Sequence, residues 1–380
     1  MRRGDRWLIG LPLALTAVGL VMVYSAGSIF AMMAKSKNAD FYLVAQLERA
    51  GLGFLALFAC SRLNLRWLER WAPWLLGLSV LMLGAVVVVG RVAKGASRWL
   101  SLGTLSIQPT DLARLAVVVF LAWWLKRRPP AEHGFWRGTF LPLAVVGAIS
   151  GMILLQPNLS SAGLLGMTGF ALLFLAGARV RHLAIPVAAG ALLVVVALQT
   201  HPYQMERFQT FVRFLFTGEL DARGAGWQLD QSLIAIGSGG WLGRGIGAGL
   251  QKYLFLPEAH TDFIFSVLAE EMGFLGATVL FGLFALLIWR GMRCAARASD
   301  PFTSLLAGGL TLQLGLYALA NLAVATGLAP TTGLPLPYVS FGGSALVANL
   351  MAAGLLYRIS AANGADEALT KQRWSREAGA

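Results

Sequence analysis

Apolar positions along the 380-residue chain neither alternate nor recur on a single helical stripe; they run on in blocks of about 20 residues separated by short polar breaks. The blocks fall at 7–33, 41–60, 71–90, 106–125, 138–156, 162–178, 184–199, 263–289, 302–328 and 340–358. Each suffices for a helix crossing a hydrocarbon layer about 30 Å thick. The pattern predicts an all-α polytopic membrane protein with about ten transmembrane helices and both termini on one side. The first block, from Trp7 to about Met33, is too long for a signal peptide and lacks a small-residue cleavage pattern, so it reads as a retained span.

The long interruption, 200–262, lies between the seventh and eighth blocks. Within it WQLDQSLIAIGSGGWLGRGIGAGL (Trp227–Leu250) sets an amphipathic or re-entrant apolar piece beside a glycine-rich turn. Ordered structure on the outer face is expected there. No repeat of fixed period is visible. The organisation predicted is one transmembrane domain over 1–360 and a mobile cytoplasmic tail over 361–380.

Composition excludes a soluble globule, since 57% of residues are hydrophobic and 13% charged. Charge then sets the orientation. A net charge of +13 raises the possibility of nucleic acid, but the cations are scattered through short loops, which fits membrane topology and anionic lipid instead. An inward N-terminus puts nineteen Lys and Arg on the cytoplasmic side and ten outside, with Arg49 and Arg114 inside spans. That bias predicts N-in and C-in. The outer loop GRVAKGASRW (Gly90–Trp99) breaks the rule with three cations and so invites a functional reading. Cys60 and Cys294 fall near the cytoplasmic ends of spans, where no disulfide is expected.

Ionisable groups inside spans cost several kcal/mol unless paired or wet, which singles out Glu48, Arg49, Asp111, Arg114, Asp262, Glu270 and Glu271. Asp111 and Arg114 share a helical face, either as a structural ion pair or as the lining of a polar cavity begun by QPTD (Gln108–Asp111). Glu48 and Arg49 point in different directions, leaving Arg49 as the better anion ligand. In TTGLPLPYVSFGGSALVANL (Thr331–Leu350), Ser340, Gly342, Gly343 and Ser344 precede a span; such a turn is a plain helix cap or a cradle for anionic oxygen. In LPEAHTDFIF (Leu256–Phe265), Pro257 suits a first helical position, which would set Glu258 and Asp262 one turn apart on one face. Two readings stay open: a helix cap, or a carboxylate entering hydrocarbon beside His260 and Thr261 and tuned by partial desolvation into a general base.

LPEAHTDFIFSVLAEEMG (Leu256–Gly273), GASRWLSLGTLSIQPTDLARL (Gly95–Leu115) and PTTGLPLPYVSFGGSAL (Pro330–Leu346) together resemble the SEDS family (shape, elongation, division, sporulation), in order along nearly the whole chain. TTGLPLP and IAIGSGGWLGRGIG (Ile234–Gly247) are more similar to its FtsW-like division branch than to the RodA-like elongation branch. The resemblance implies ten helices, a large outer loop between the seventh and eighth, and polymerisation of lipid II into glycan strands. It matches Asp262 to an essential outer aspartate, Arg49 to a basic residue of the second helix, and Asp111 and Arg114 to an acid and a base of the fourth. The chain departs from the family pattern at Asp111 and Arg114, where Glu and Lys are usual, at QPNLSS, where Asn158 and Ser160 replace Asp and Gly, and at Phe341, where Tyr is common.

The implied chemistry is glycosyl transfer with Asp262 as base and undecaprenyl diphosphate as leaving group. Arg49, Arg98 and Arg114, with a divalent cation (Mg or Mn), are the expected diphosphate ligands. Glu258 and His260 are expected to position Asp262 or a metal. Expected partners are lipid II, the growing glycan strand, a class B penicillin-binding transpeptidase and other divisome proteins, at the septum in the cytoplasmic membrane. The rival readings are a lipid II flippase and a non-catalytic divisome scaffold.

Overall fold

The computed structural model describes residues 4–33, 38–89, 91–93, 96–102, 105–200, 202–220 and 224–377, though not every side chain within them; those of 91–98, 101–102, 105–106 and 365–377 are outside the description. In chain order come α1 (Trp7–Met33), α2 (Phe41–Arg62), α3 (Leu65–Val89) and α4 (Pro109–Arg127). A broken span follows, in which α5 (Pro130–Phe135), a π turn (Trp136–Phe140) and α6 (Leu141–Leu154) succeed one another. Then come α7 (Leu159–Leu175), α8 (Val180–Thr200), α9 (Pro202–Thr217), α10 (Gly224–Ser238), α11 (Ile264–Ala296), α12 (Pro301–Ala325) and α13 (Gly343–Glu377).

All ten apolar blocks fall on helices, eight of them, among the described residues, long and apolar enough to cross a membrane, and the chain is a multi-pass membrane protein. Their outward faces carry large bare side chains such as Leu55, Leu81, Val88 and Phe281, which only lipid can cover. α4 is the exception: it is buried over nearly its whole length among α3, α7, α12 and α13, so Asp111 and Arg114 meet protein and not lipid. The segment before α1, the end of α11 and α13 meet at one end of the bundle, where the Asp5 amide donates to Ser360 Oγ at 3.0 Å and Arg290 pairs with Asp5 at 3.2 Å.

Three features differ from the sequence expectation. The outer loop after α3 holds three short antiparallel strands, β1 (Arg91–Ala93), β2 (Ala96–Leu102) and β3 (Leu105–Ile107), too brief to leave an alternating signature. α13 runs on to Glu377, through the segment expected to be a tail. The helix following LPEAHTDFIF begins at Ile264 and not at Pro257. Glu258 adopts a left-handed backbone (φ 55°), which no helical first turn tolerates, and its carbonyl instead accepts the amides of Thr261 and Asp262, each at 3.1 Å.

The 200–262 segment is ordered where it is described. α9 is amphipathic with no buried residue, while α10 packs on α11 and α12, where Ser232 Oγ meets Ser266 Oγ at 2.6 Å and donates to the Ala325 carbonyl at 2.7 Å. Residues 239–263 then descend along α11 and return without forming a helix.

Candidate functional site

Asp262 sits at the outer end of α11, half-buried, and two loops clasp it there. Asn321 of α12 donates one amide group to the carbonyls of both Asp262 (2.8 Å) and Leu334 (2.7 Å), tying 256–263 to 331–342. Ser340 completes the tie, since its hydroxyl donates to the Thr261 carbonyl at 2.5 Å and accepts the Leu336 amide at 2.8 Å, while the Phe341 amide donates to the His260 carbonyl at 3.0 Å. The Asp262 carboxylate lies against Gly333, whose left-handed backbone (φ 71°) turns the loop at that point. Glu258 does not share a helical face with Asp262; its carboxylate accepts from Thr261 Oγ1 at 3.0 Å.

The second loop is braced from below and behind. Tyr338, 1% exposed, donates its hydroxyl to the Asn349 carbonyl at 3.0 Å, and burial pushes that hydroxyl's pKa up, so it stays a neutral donor. Ser160 Oγ donates to the Thr332 carbonyl at 2.8 Å and Arg207 to the Thr331 carbonyl at 3.0 Å. The QPNLSS departure therefore keeps its local work: Asn158 caps α7 through the Ser161 amide at 3.3 Å, as an Asp would, and Ser160 adds a bond that glycine lacks.

Arg49 and His260 form an adjoining wall. The Arg49 guanidinium lies over the Phe341 ring at 4.5 Å, and its Nη1 is buried without a hydrogen-bond partner among the described residues. An orphaned guanidinium nitrogen at this wall suits an incoming anionic oxygen. The His260 ring is 5% exposed and packs among Tyr42 (4.5 Å), Phe30 (5.2 Å) and Phe341 (5.7 Å). It shapes an aromatic floor beside the 331–342 loop. Arg98 falls on β2, and its side chain lies outside the described residues.

Asp111 and Arg114 do not line an open polar face. They are 3.7 Å apart and sealed, at 8% and 3% exposure, with Arg114 Nη2 donating to Asn349 Oδ1 at 2.7 Å and its guanidinium over Tyr317 at 4.4 Å. Asp111 accepts from Ser344 Oγ at 2.7 Å, which in turn accepts the Gln108 amide at 2.9 Å. Asp111, Arg114 and Ser344 together form a strut beneath the 331–342 loop. Gly342 and Gly343 lead into the N-terminus of α13, directly above that strut.

A further buried cluster escaped the sequence reading. Lys252, 4% exposed, reaches Glu271 at 2.8 Å, Ser25 Oγ at 2.9 Å and the Gly247 carbonyl at 2.6 Å. Glu271 also accepts from the Gly247 amide at 2.9 Å and Ser25 Oγ at 2.6 Å, and Glu270 from the amides of Leu250 (2.8 Å) and Gln251 (3.2 Å). The expensive acids of α11 are thus the pins that hold the glycine-rich hairpin. Nothing near Lys252 in the sequence marks it, because its partners lie 19 and 227 residues away. Among the described residues no group of three or more His, Cys, Asp or Glu side chains is placed to hold a metal ion.

Comparison with known proteins bears on this geometry. Residues 6–364 match the family model described as cell cycle protein, covering FtsW, RodA and SpoVE. A protein named probable peptidoglycan glycosyltransferase FtsW, from Alkalilimnicola ehrlichii, is 41% identical over 93% of this chain and 88% of its own. Among solved structures, a chain from a study of structural coordination of polymerization and crosslinking by a peptidoglycan synthase complex superposes with a TM-score of 0.76 at 33% identity, over 95% of this chain and 98% of that one. The crystal structure of the rod shape determining protein RodA from Thermus thermophilus gives a TM-score of 0.69 at 32% identity, over 94% of this chain and 96% of that one. With three clasped motifs in family order and a model match spanning nearly all its residues, the chain belongs to the SEDS cell cycle protein family, on the FtsW-like division branch.

Proposed function

We propose that this peptidoglycan glycosyltransferase polymerises lipid II at the outer face of the bacterial cytoplasmic membrane, in septal wall synthesis, with Asp262 as its general base. The observation that carries the reading is the clasp: a half-exposed carboxylate is held at the end of a rigid span beside a wall with an orphaned guanidinium nitrogen. A base of this kind must meet water-soluble sugar while its neighbours meet lipid, and the outer end of α11 offers both.

In the reaction, the 4-hydroxyl oxygen of the acceptor's GlcNAc bonds to C1 of the MurNAc at the reducing end of the growing strand, with inversion. The C1–oxygen bond breaks, its electron pair leaving with undecaprenyl diphosphate, and the hydroxyl proton passes to Asp262. Diphosphate leaves without protonation once its charge is met, so the second carboxylate of a glycosidase is not needed. Arg49 is the side chain we assign to that charge. No step is routed through a metal ion.

A class B penicillin-binding transpeptidase is the proposed partner, supported by the likeness to a chain from a peptidoglycan synthase complex. The test is reconstitution of the protein with that partner and labelled lipid II. Wild type is expected to make polymer, and Asp262→Asn to lose on the order of 10²–10⁴-fold in rate. Polymer at equal rates from both removes Asp262 as base; lipid II crossing vesicles with no polymer from wild type replaces the polymerase with a flippase.

A further inference from the structure

At the end of the bundle opposite Asp262, the segment before α1, the end of α11 and α13 border a half-open pocket of about 250 Å³. Arg290, Arg293 and Arg297 line it from the last turns of α11, Asp5 from the start of the chain, and Ser360 and Asn363 from α13. Three guanidiniums thus face one carboxylate. Asp5 pairs with Arg290 alone, at 3.2 Å, and among the described residues Arg293 and Arg297 make no ion pair. Arg290 Nε is buried with no hydrogen-bond partner.

Cations at the inner ends of spans are ordinary, and their presence alone says only which way the chain is threaded. Cations at a helix C-terminus also complement its dipole. Neither explanation calls for a hollow. Here the arginines, spaced three and four residues apart on one face, border a half-open hollow with hydroxyl and amide groups on its far wall.

The surroundings indicate what fills it. Trp289 and Trp7, each about half exposed, stand beside the arginines, with the Arg290 guanidinium 5.2 Å from the Trp289 ring and 5.8 Å from that of Trp7, and Arg293 5.4 Å from Trp289. Half-exposed indoles next to guanidiniums mark the depth of lipid headgroups. Basic pockets between helices on the cytoplasmic side are suited to phosphate-bearing headgroups.

We propose that this cavity is a binding site for a phosphate anion, supplied by an anionic phospholipid of the inner leaflet, with Arg290, Arg293 and Arg297 as its ligands and Asp5 as the charge it displaces. The site is independent of the Asp262 clasp and would exist whatever reaction occurs there.

The test uses the full chain purified in detergent, with thermal unfolding and native mass spectrometry as readouts. The probes are phosphatidylglycerol, phosphatidylcholine and inorganic phosphate, each added to wild type, R293Q/R297Q and D5N. Arg293 and Arg297 are exposed, so their replacement should not disturb folding. Phosphatidylglycerol is expected to bind and stabilise wild type, phosphatidylcholine to do neither. At roughly fivefold per cation near a membrane surface, R293Q/R297Q should bind phosphatidylglycerol on the order of 25-fold more weakly. D5N, which keeps a capping oxygen and removes the competing charge, should bind more tightly. Stabilisation by inorganic phosphate alone, lost in R293Q/R297Q, keeps the site and changes its source to a soluble phosphate. Equal binding of both lipids, or equal phosphatidylglycerol binding by wild type and R293Q/R297Q, overturns the proposal.

Discussion

Charged groups occur in two kinds of setting within the membrane-embedded part of this protein. The Asp111–Arg114 and Lys252–Glu271 pairs are sealed, and their members are bonded by Ser344 and Asn349 in one case and by Ser25 and Gly247 in the other. Asp262 and Arg49 are half-buried at the outer surface, and Arg49 keeps an unused donor. An ionisable residue in an apolar run is thus not by itself a sign of chemistry. Charges met by an opposite charge inside the protein hold loops in place, and those with valence left at the surface are placed to meet a ligand.

The contrast makes opposite demands on activity and stability. Asp262→Asn should lose on the order of 10²–10⁴-fold in polymerisation rate while its unfolding temperature matches wild type; a matched fall in both would move Asp262 to the sealed class. Lys252→Met should act the other way, costing about 3–5 kcal/mol in unfolding free energy because it leaves Glu271 buried without its cation. Denaturant unfolding in detergent micelles measures it, and a loss under 1 kcal/mol would mean that water reaches the hairpin. Arg49→Gln should lower kcat/KM for lipid II by roughly 10- to 100-fold with stability kept, as expected for one charge-assisted bond of about 1.5–3 kcal/mol. Steady-state rates across lipid II concentrations test this; an unchanged value would leave the orphaned nitrogen without a role. Ser160→Gly should be the mildest, about 0.5–1.5 kcal/mol for one hydrogen bond to Thr332, read as a small drop in unfolding temperature.

Hydropathy made the ten spans legible, since burial in lipid demands long apolar runs whatever their partners. Strands β1 and β3 were hidden because three-residue pieces carry no period. The start of α11 was misread because Pro257 favours a helical first turn, whereas the left-handed backbone at Glu258 follows from tertiary bonds that local spacing does not reveal. Asp262, Arg49 and the Ser340 loop were visible as motifs, yet their division of labour was not: Ser344 lies 233 residues from Asp111 and Asn349 lies 235 from Arg114, across a strut that only folding assembles. Asn321, a buried amide in an apolar helix, was the overlooked signal, since such a group needs carbonyls to donate to and finds one on Asp262.

The outer third of α11 has a consequence for how the protein is made. At Gly273 the helix backbone breaks (φ 65°, ψ −166°), and the hairpin supplies what the break exposes: Phe274 and Leu275 donate to the carbonyls of Gly240 and Trp241, and Arg244 and Gly245 to those of Glu270 and Glu271. A Cβ on Gly239 or Gly243 would collide with this backbone. A chain emerging from the insertion machinery presents residues 239–251 before α11 exists, and α11 in turn cannot rest in hydrocarbon with its broken turn bare. Insertion of the eighth span and folding of the hairpin are therefore one biosynthetic step, and a glycine lost from 239 or 243 should be felt first as failed membrane integration.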